Sequence, residues 1–215
     1  QPTVKLVFRF VIAPDDTPYA CTCPSCTAIG NTEKNATPAV TELILRLSQR
    51  FPRHFFFTTS YLTTQQVTDK QLPPNAGVIV SAINFPLRRI DGKDAKEKAF
   101  AGQLEQWKNV TKNIYIWDYI NNFDDYLTPM PILKIARQRL QFFKQHGASG
   151  IFFNGSGYSY SSFDEMRTFV LSALLINPEL SVDNLTASFF NQEYPAAKKW
   201  LYDYYTDLEN GTQSG

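Results

Sequence analysis

The sequence predicts an α/β protein built of parallel β/α units. Apolar runs of strand length alternate with segments of helical period, and each predicted strand is apolar almost throughout, as strands buried on both faces are. The placement of polar residues agrees. Asp15 and Asp16, Tyr61, Asn84 with Arg88, Asp118 with Asn121 and Asn122, and Asn154 fall at or just past strand C-terminal ends. In a parallel sheet those ends share one rim, where ligands bind. An open sheet covered by helices on both sides and a closed barrel with helices outside satisfy the pattern equally.

The elements follow in order. The first strand spans Val4 to Ala13, and a cysteine-bearing loop follows it. Thr37 and Pro38 supply an N-cap and a first-turn proline to a helix through Val40, Leu43, Ile44, Leu47 and Phe51. Strands two and three are His54 to Tyr61 and Gly77 to Ile83. Phe100, Leu104 and Trp107 mark a helix, and Asn113 to Ile120 is the fourth strand. Pro131 opens a helix through Ile132, Ile135, Ala136, Leu140 and Phe143, with Gly147 just past its end. The fifth strand is Gly150 to Asn154. Ser162 and Glu165 then read as a capping box ahead of Met166, Phe169, Val170, Ala173 and Leu174. Two final helices cover Asp183 to Asn191 and Pro195 to Leu208, the second burying Trp200, Leu201, Tyr204 and Tyr205.

Composition narrows the function classes. The 215 residues, 43% hydrophobic and 14% aromatic, suffice for one large domain or two small ones. Basic and acidic residues number 21 and 20 and are scattered, so the net charge is +1 and no footprint for nucleic acid exists. The longest apolar runs stop well short of the roughly 20 residues that a membrane span needs. The chain begins at Gln1 without Met or a signal-peptide pattern, which reads as a processed or excised segment. Sequons at Asn35, Asn109, Asn154, Asn184 and Asn210 matter only in a host that glycosylates exported proteins.

The three cysteines, Cys21, Cys23 and Cys26, lie within six residues, so they cannot staple distant segments. A redox dithiol at Cys23 and Cys26 would need a helix to open there, and Thr27 to Asn35 reads as loop. A metal would need one ligand beyond the three thiolates, from His54 or His146. The favoured reading is a local disulfide or buried thiols that stabilise the loop, with no metal and no cofactor.

In chain order, Pro14-Asp15-Asp16, the Cys-Thr-Cys-Pro-Ser-Cys run, Tyr61 after a strand, Trp117-Asp118-Tyr119 with Asn122, Pro129-x-Pro131, Gly150-Ile-Phe-Phe-Asn-Gly155 and Leu174-Leu175-Ile-Asn177-Pro178 form a recognisable series. The series resembles the bacterial glycoside-hydrolase-like proteins grouped as domain-of-unknown-function family 4838, and the match covers nearly the whole chain. The resemblance implies a TIM-type barrel, a carbohydrate partner and a secreted, periplasmic or cell-surface location. It implies no particular reaction. Family members often carry Trp where this chain has Ile176, and some carry Glu where Phe153 stands. If that Glu is catalytic in them, this chain lacks it. A closed barrel takes about 250 residues and eight strands, and the match begins at what would be the fourth. The expectation is therefore a partial barrel over residues 1–178 that carries the site, a helical segment over 179–215, and a missing N-terminal barrel segment as partner. Five parallel strands alone leave raw edges.

Glycoside hydrolysis needs two carboxyls, about 5 to 5.5 Å apart for retention and about 6.5 to 9.5 Å for inversion. The candidates are Asp118 and Asp16. Asp118 follows Trp117 in a buried strand, where a carboxylate is costly unless hydrogen-bonded or functional. Strand alternation puts it on one face with Ile116, opposite Tyr115, Trp117 and Tyr119. Its structural alternative is an ion pair with Arg88 or a loop cap. Asp16 has a turn role open to it as well, and capping explains Glu165. Tyr61, Trp117, Tyr119, Phe123, Tyr126 and Tyr158 are candidate platforms for sugar rings, with Arg88, Asn122 and Asn154 as polar partners for hydroxyls. A catalytically inactive sugar-binding barrel satisfies the same residues.

Overall fold

In the computed structural model, which describes residues 6–155 and 161–211, five strands are joined by crossovers that carry α-helices, except the second crossover, which has a single 3-10 turn, Leu62–Thr64. The strands are β1 (Arg9–Val11), β2 (Phe55–Ser60), β3 (Ala76–Ser81), β4 (Ile114–Tyr119) and β5 (Gly150–Asn154). They lie side by side in chain order in one sheet. Pairing is parallel, with Arg9 opposite Phe55, Thr58 opposite Val78 and Val80 opposite Ile116. On β5, the Ser149 N–H donates to the Ile114 carbonyl at 2.8 Å. The fold is the α/β partial barrel that the sequence predicts. The helices are α1 (Pro24–Ile29), α2 (Thr37–Arg50), α3 (Ala95–Lys108), α4 (Leu133–Gln145), α5 (Asp164–Ile176), α6 (Val182–Glu193) and α7 (Lys198–Gly211).

Several local expectations are corrected. The first strand shrinks from Val4–Ala13 to the three residues Arg9 to Val11 that stand in register with β2, flanked by one backbone bond between Phe8 and Phe55 and one between Ile12 and Phe57; Val4 and Lys5 lie outside the described residues. A helix opens right after Cys23 and takes in Thr27 to Ile29 of the stretch read as loop, while Gly30 to Asn35 stays non-helical. Pro24 starts α1, and Gly30 ends it at φ 113°, its N–H reaching the carbonyls of Cys26 and Thr27. In α2, Ala36 takes the cap position foreseen for Thr37, whose N–H is held instead by the Asn35 side chain at 3.0 Å. The capping box before α5 does not form. Ser162 donates to the Leu127 carbonyl, and Phe163 occupies the cap position at φ 57°. Trp200 and Tyr204 on α7 are largely exposed, while Tyr205 is buried.

The chain forms two compact units. The first comprises Gln1–Asn84, Ala99–Asp118 and His146–Phe152; the second comprises Phe85–Lys98, Tyr119–Gln145 and Phe153–Gly215. In the first, α2 covers β2 and β3 through Ile44 against Phe56 and Ala76, with Ile12, Leu47 and Leu72 around them. The next helix seats itself on a polar contact: Ser60 Oγ accepts from Gln103 at 3.0 Å and from the Trp107 indole at 3.3 Å. Gly77 is required for close strand approach. A Cβ there would stand 2.3 Å from the Asn113 carbonyl oxygen. In the second unit, buried Arg139 donates to the carbonyls of Phe85 and Pro86 and lies 4.7 Å from the Phe85 ring centre.

Glu209 ties the end of the chain into that unit. Its carboxylate accepts the N–H groups of Leu133 and Lys134, at 2.8 and 3.2 Å, and the Tyr205 hydroxyl at 3.0 Å. It thereby caps α4, whose first N–H groups have no intrahelical acceptor. Burial holds the Glu209 carboxyl above the usual carboxylate range, partly opposed by those donors. Glu209→Ala strands the buried Leu133 N–H and should destabilise by about 1–3 kcal/mol in urea unfolding. The sign of the pH effect follows from the raised pKa: the folded protein holds this proton more tightly than the unfolded chain. Relative to Glu209→Gln, wild-type stability should thus fall as pH rises from the ordinary carboxylate range through the raised value. Gly77→Ala should cost the upper end of about 1–3 kcal/mol by forcing the strands apart, measured the same way.

Candidate functional site

Strand β4 decides where the candidate side chains point. In register, Ser60 on β2, Val80 on β3 and Ile116 on β4 form one row across the sheet. Ser60 meets α3, so this is the helix-covered side. Two residues on, Asp118 takes the same side and is completely buried, with 0% exposure, beyond Ile114 and Ile116. Tyr115, Trp117 and Tyr119 take the opposite side and are half-buried.

On that opposite side the first unit carries an aromatic wall. Phe57 stacks on Tyr115 with ring centres 4.8 Å apart, and Gly150 leaves room for the Tyr115 ring. Trp117 packs edge-on against Phe152 at 4.9 Å. The Trp117 indole N–H is buried and has no acceptor among the described residues. An unpaired buried donor costs about 1–3 kcal/mol, which a ligand oxygen would recover. Tyr61 is half-buried at the end of β2; its carbonyl accepts from the backbone and hydroxyl of Thr64. Asp16 is exposed in the loop after β1. The two carboxylates proposed for catalysis thus have opposite settings: one in solvent, one sealed.

The second unit holds the remaining candidates. The Arg88 guanidinium, the ion-pair alternative considered for Asp118, pairs with Asp94. Asp94 itself caps α3, accepting the Lys96 N–H at 2.6 Å. That N–H, ahead of Arg88, holds the Asp94 carboxyl below its usual range. Tyr119, Phe123 and Tyr126 form an edge-to-face series, with successive centres 6.0 and 5.9 Å apart. Asn122 is exposed and accepts the Asp124 N–H, a turn role. Asn154 is half-buried at the end of β5, its carbonyl accepting from Ile120 at 3.2 Å. Glu165 is exposed in the first turn of α5. Tyr158 lies outside the described residues.

Two polar residues stand out that the sequence reading did not rank. Asn121 is buried, with its amide nitrogen unpaired among the described residues. Glu97 is 1% exposed; one carboxylate oxygen accepts the Gly92 N–H at 2.8 Å and the other has no donor among the described residues. The Asp94-x-x-Glu97 spacing is a capping-box signal that would have found it.

The cysteine loop also differs from expectation. All three cysteines are free; Cys21 and Cys23 are exposed and Cys26 is half-buried, so the thiols are neither bridged nor sealed. Cys23 sits below its ordinary thiol pKa because the Cys26 N–H, then the Cys21 and Cys26 thiols, donate to its sulfur. Cys26 is pushed up to about 11, chiefly by its bond to Cys23 and then to Cys21. At about pH 8, iodoacetamide should therefore modify Cys23 before Cys26, as followed by peptide mass spectrometry; equal rates would remove the asymmetry.

No curated protein matches the chain. A family model described as Domain of unknown function (DUF4838) matches residues 6–207, which takes in the whole sheet and all but the end of α7. The series of motifs along the strands and loops is accordingly a family pattern, and the chain belongs to the DUF4838 family.

Proposed function

We propose that this chain is the carbohydrate-recognising part of a glycoside-hydrolase-like barrel, taking an oligo- or polysaccharide at the C-terminal rim of its strands. The observation that carries the reading is Trp117, an aromatic ring near the end of β4 whose indole N–H lacks an acceptor among the described residues. Sugars offer apolar C–H faces to such rings and hydroxyl oxygens to such donors. Tyr61, in the same unit as Trp117, supplies a further ring face in this reading. A polysaccharide substrate agrees with an exported protein. The barrel is completed by strands from outside this chain, a proposal supported by the exposed Leu6, Val7, Phe8 and Phe10 beside the short β1.

For hydrolysis, Asp118 serves as general acid or nucleophile and Asp16 as the second carboxyl. The complete burial of Asp118 favours a second reading, binding without turnover, since a sealed carboxylate cannot touch a glycosidic oxygen until the fold around it opens. The experiment is a pair of variants in the protein with its barrel complete, assayed for glycan binding, hydrolysis and melting. Trp117→Ala should weaken glycan binding about tenfold. Asp118→Asn should lower turnover on the order of 10² or more with binding and melting retained if the carboxylate is catalytic. Early melting with normal hydrolysis per folded molecule would end the catalytic role and leave Asp118 as a structural group. Unchanged glycan binding by Trp117→Ala would remove the carbohydrate reading of this face.

A further inference from the structure

Cys21, Cys23 and Cys26 hold three sulfurs within 4.8 Å of one another, and we propose that they form a zinc site of three thiolates and one exchangeable water. The local backbone produces the convergence. Cys23 is extended, with φ −61° and ψ 160°. The extended backbone at Cys23 brings its sulfur beside that of Cys21. Pro24 then starts α1, and the helical turn sets Cys23 and Cys26, three apart, on one side as well.

Asn31 holds this arrangement rigid. It is 5% exposed. Its amide donates to the Cys21 carbonyl at 3.2 Å, its N–H donates to the Cys26 carbonyl at 3.0 Å, and its side-chain oxygen accepts the Ala39 N–H of α2 at 3.0 Å. The Thr27 N–H and hydroxyl secure the carbonyls of Cys23 and Thr22, at 2.9 and 3.1 Å. Both ends of the triplet are thus fastened to the first turn of a long helix, and a preorganised ligand set loses little freedom on binding.

The ligand chemistry selects the ion. Zn–S bonds of about 2.3 Å at tetrahedral angles set sulfurs about 3.8 Å apart, which small side-chain rotations reach from the present spacing. Soft thiolates favour Zn²⁺ over hard cations such as Mg²⁺. Among the described residues no imidazole or carboxylate joins the group; His54 accepts the Phe8 N–H elsewhere. The exposure of Cys21 and Cys23 leaves the fourth position to water. Loading replaces three S–H bonds by three Zn–S bonds, releases three protons and moves no electrons. A disulfide would use two of the three sulfurs and need an oxidant. The proposal does not depend on carbohydrate binding.

The test titrates Zn²⁺ and Co²⁺ separately into the reduced full chain without oxygen. Thiolate-to-cobalt absorption, native mass spectrometry and melting are the readouts. One metal per chain is expected, with a rise in melting temperature on zinc addition. Cys21→Ser, Cys23→Ser and Cys26→Ser should each weaken cobalt binding at least tenfold and abolish that rise, with metal-free melting unchanged. Alkylating all three thiols of the folded wild type should abolish binding too, which keeps the test decisive if a serine variant fails to fold. Failure of the reduced chain to take Zn²⁺ or Co²⁺, uptake of Cu⁺ alone, or binding unaltered by Cys21→Ser would overturn the site.

Discussion

Parallel strands laid side by side in chain order can be joined only by crossovers that return from the C-terminal end of one strand to the N-terminal end of the next, and the rest of this structure follows from that constraint. Three of the four returns carry one or two α-helices, and the return from β2 to β3 has only a single 3-10 turn, Leu62–Thr64. Each strand then needs one side that packs against a helix and one that does not. The registered row of Ser60, Val80 and Ile116 belongs to the packed side, and Tyr115 and Trp117 belong to the other.

The crossovers also leave helix termini and loop carbonyls to be satisfied inside a mainly apolar interior, and a few buried polar side chains meet that demand. Asn31 joins the cysteine loop to the start of α2. Asn113, half-buried, does the same where the chain enters β3 and β4, donating to the carbonyls of Pro74 and Ala76. Arg139 gathers the carbonyls of Phe85 and Pro86, and Glu209 caps α4 from α7. Such bonds contribute modestly when made, about 0.5–1.5 kcal/mol each, and cost more when one partner is lost. They act chiefly by fixing where loops and helix ends lie.

Against that background Asp118 and the cysteine triplet stand at opposite extremes. Asp118 has the position along its strand that a catalytic acid would occupy and the side of the strand that a structural group occupies. The cysteines have the reverse character, being solvent-facing on a loop whose backbone is fully tied down. Accessible soft ligands on a rigid frame suit a metal better than a carboxylate sealed on the helix-covered side suits a polymeric substrate. In the aromatic wall, Tyr115, Trp117 and Phe152 keep exposed surface over buried Phe57, and through them a sugar-binding reading gains physical content.

The strands, their parallel order and the separation of Asp118 from Trp117 by face were legible in the sequence, because apolar runs and the two-residue period of a strand are local properties. The match to the DUF4838 family was legible too, since its motifs lie in chain order. Helix starts were less so: Asn35 displaced the cap expected at Thr37, and the Leu127 carbonyl drew Ser162 away from its capping box. In both cases a competing hydrogen-bond partner decided the outcome, and for Ser162 it lay 35 residues away in the chain. Tertiary structure alone decided which side of β4 meets a helix and that Glu209 caps α4. Local periodicity specifies which side chains share a face; only the packing of distant segments specifies what that face touches.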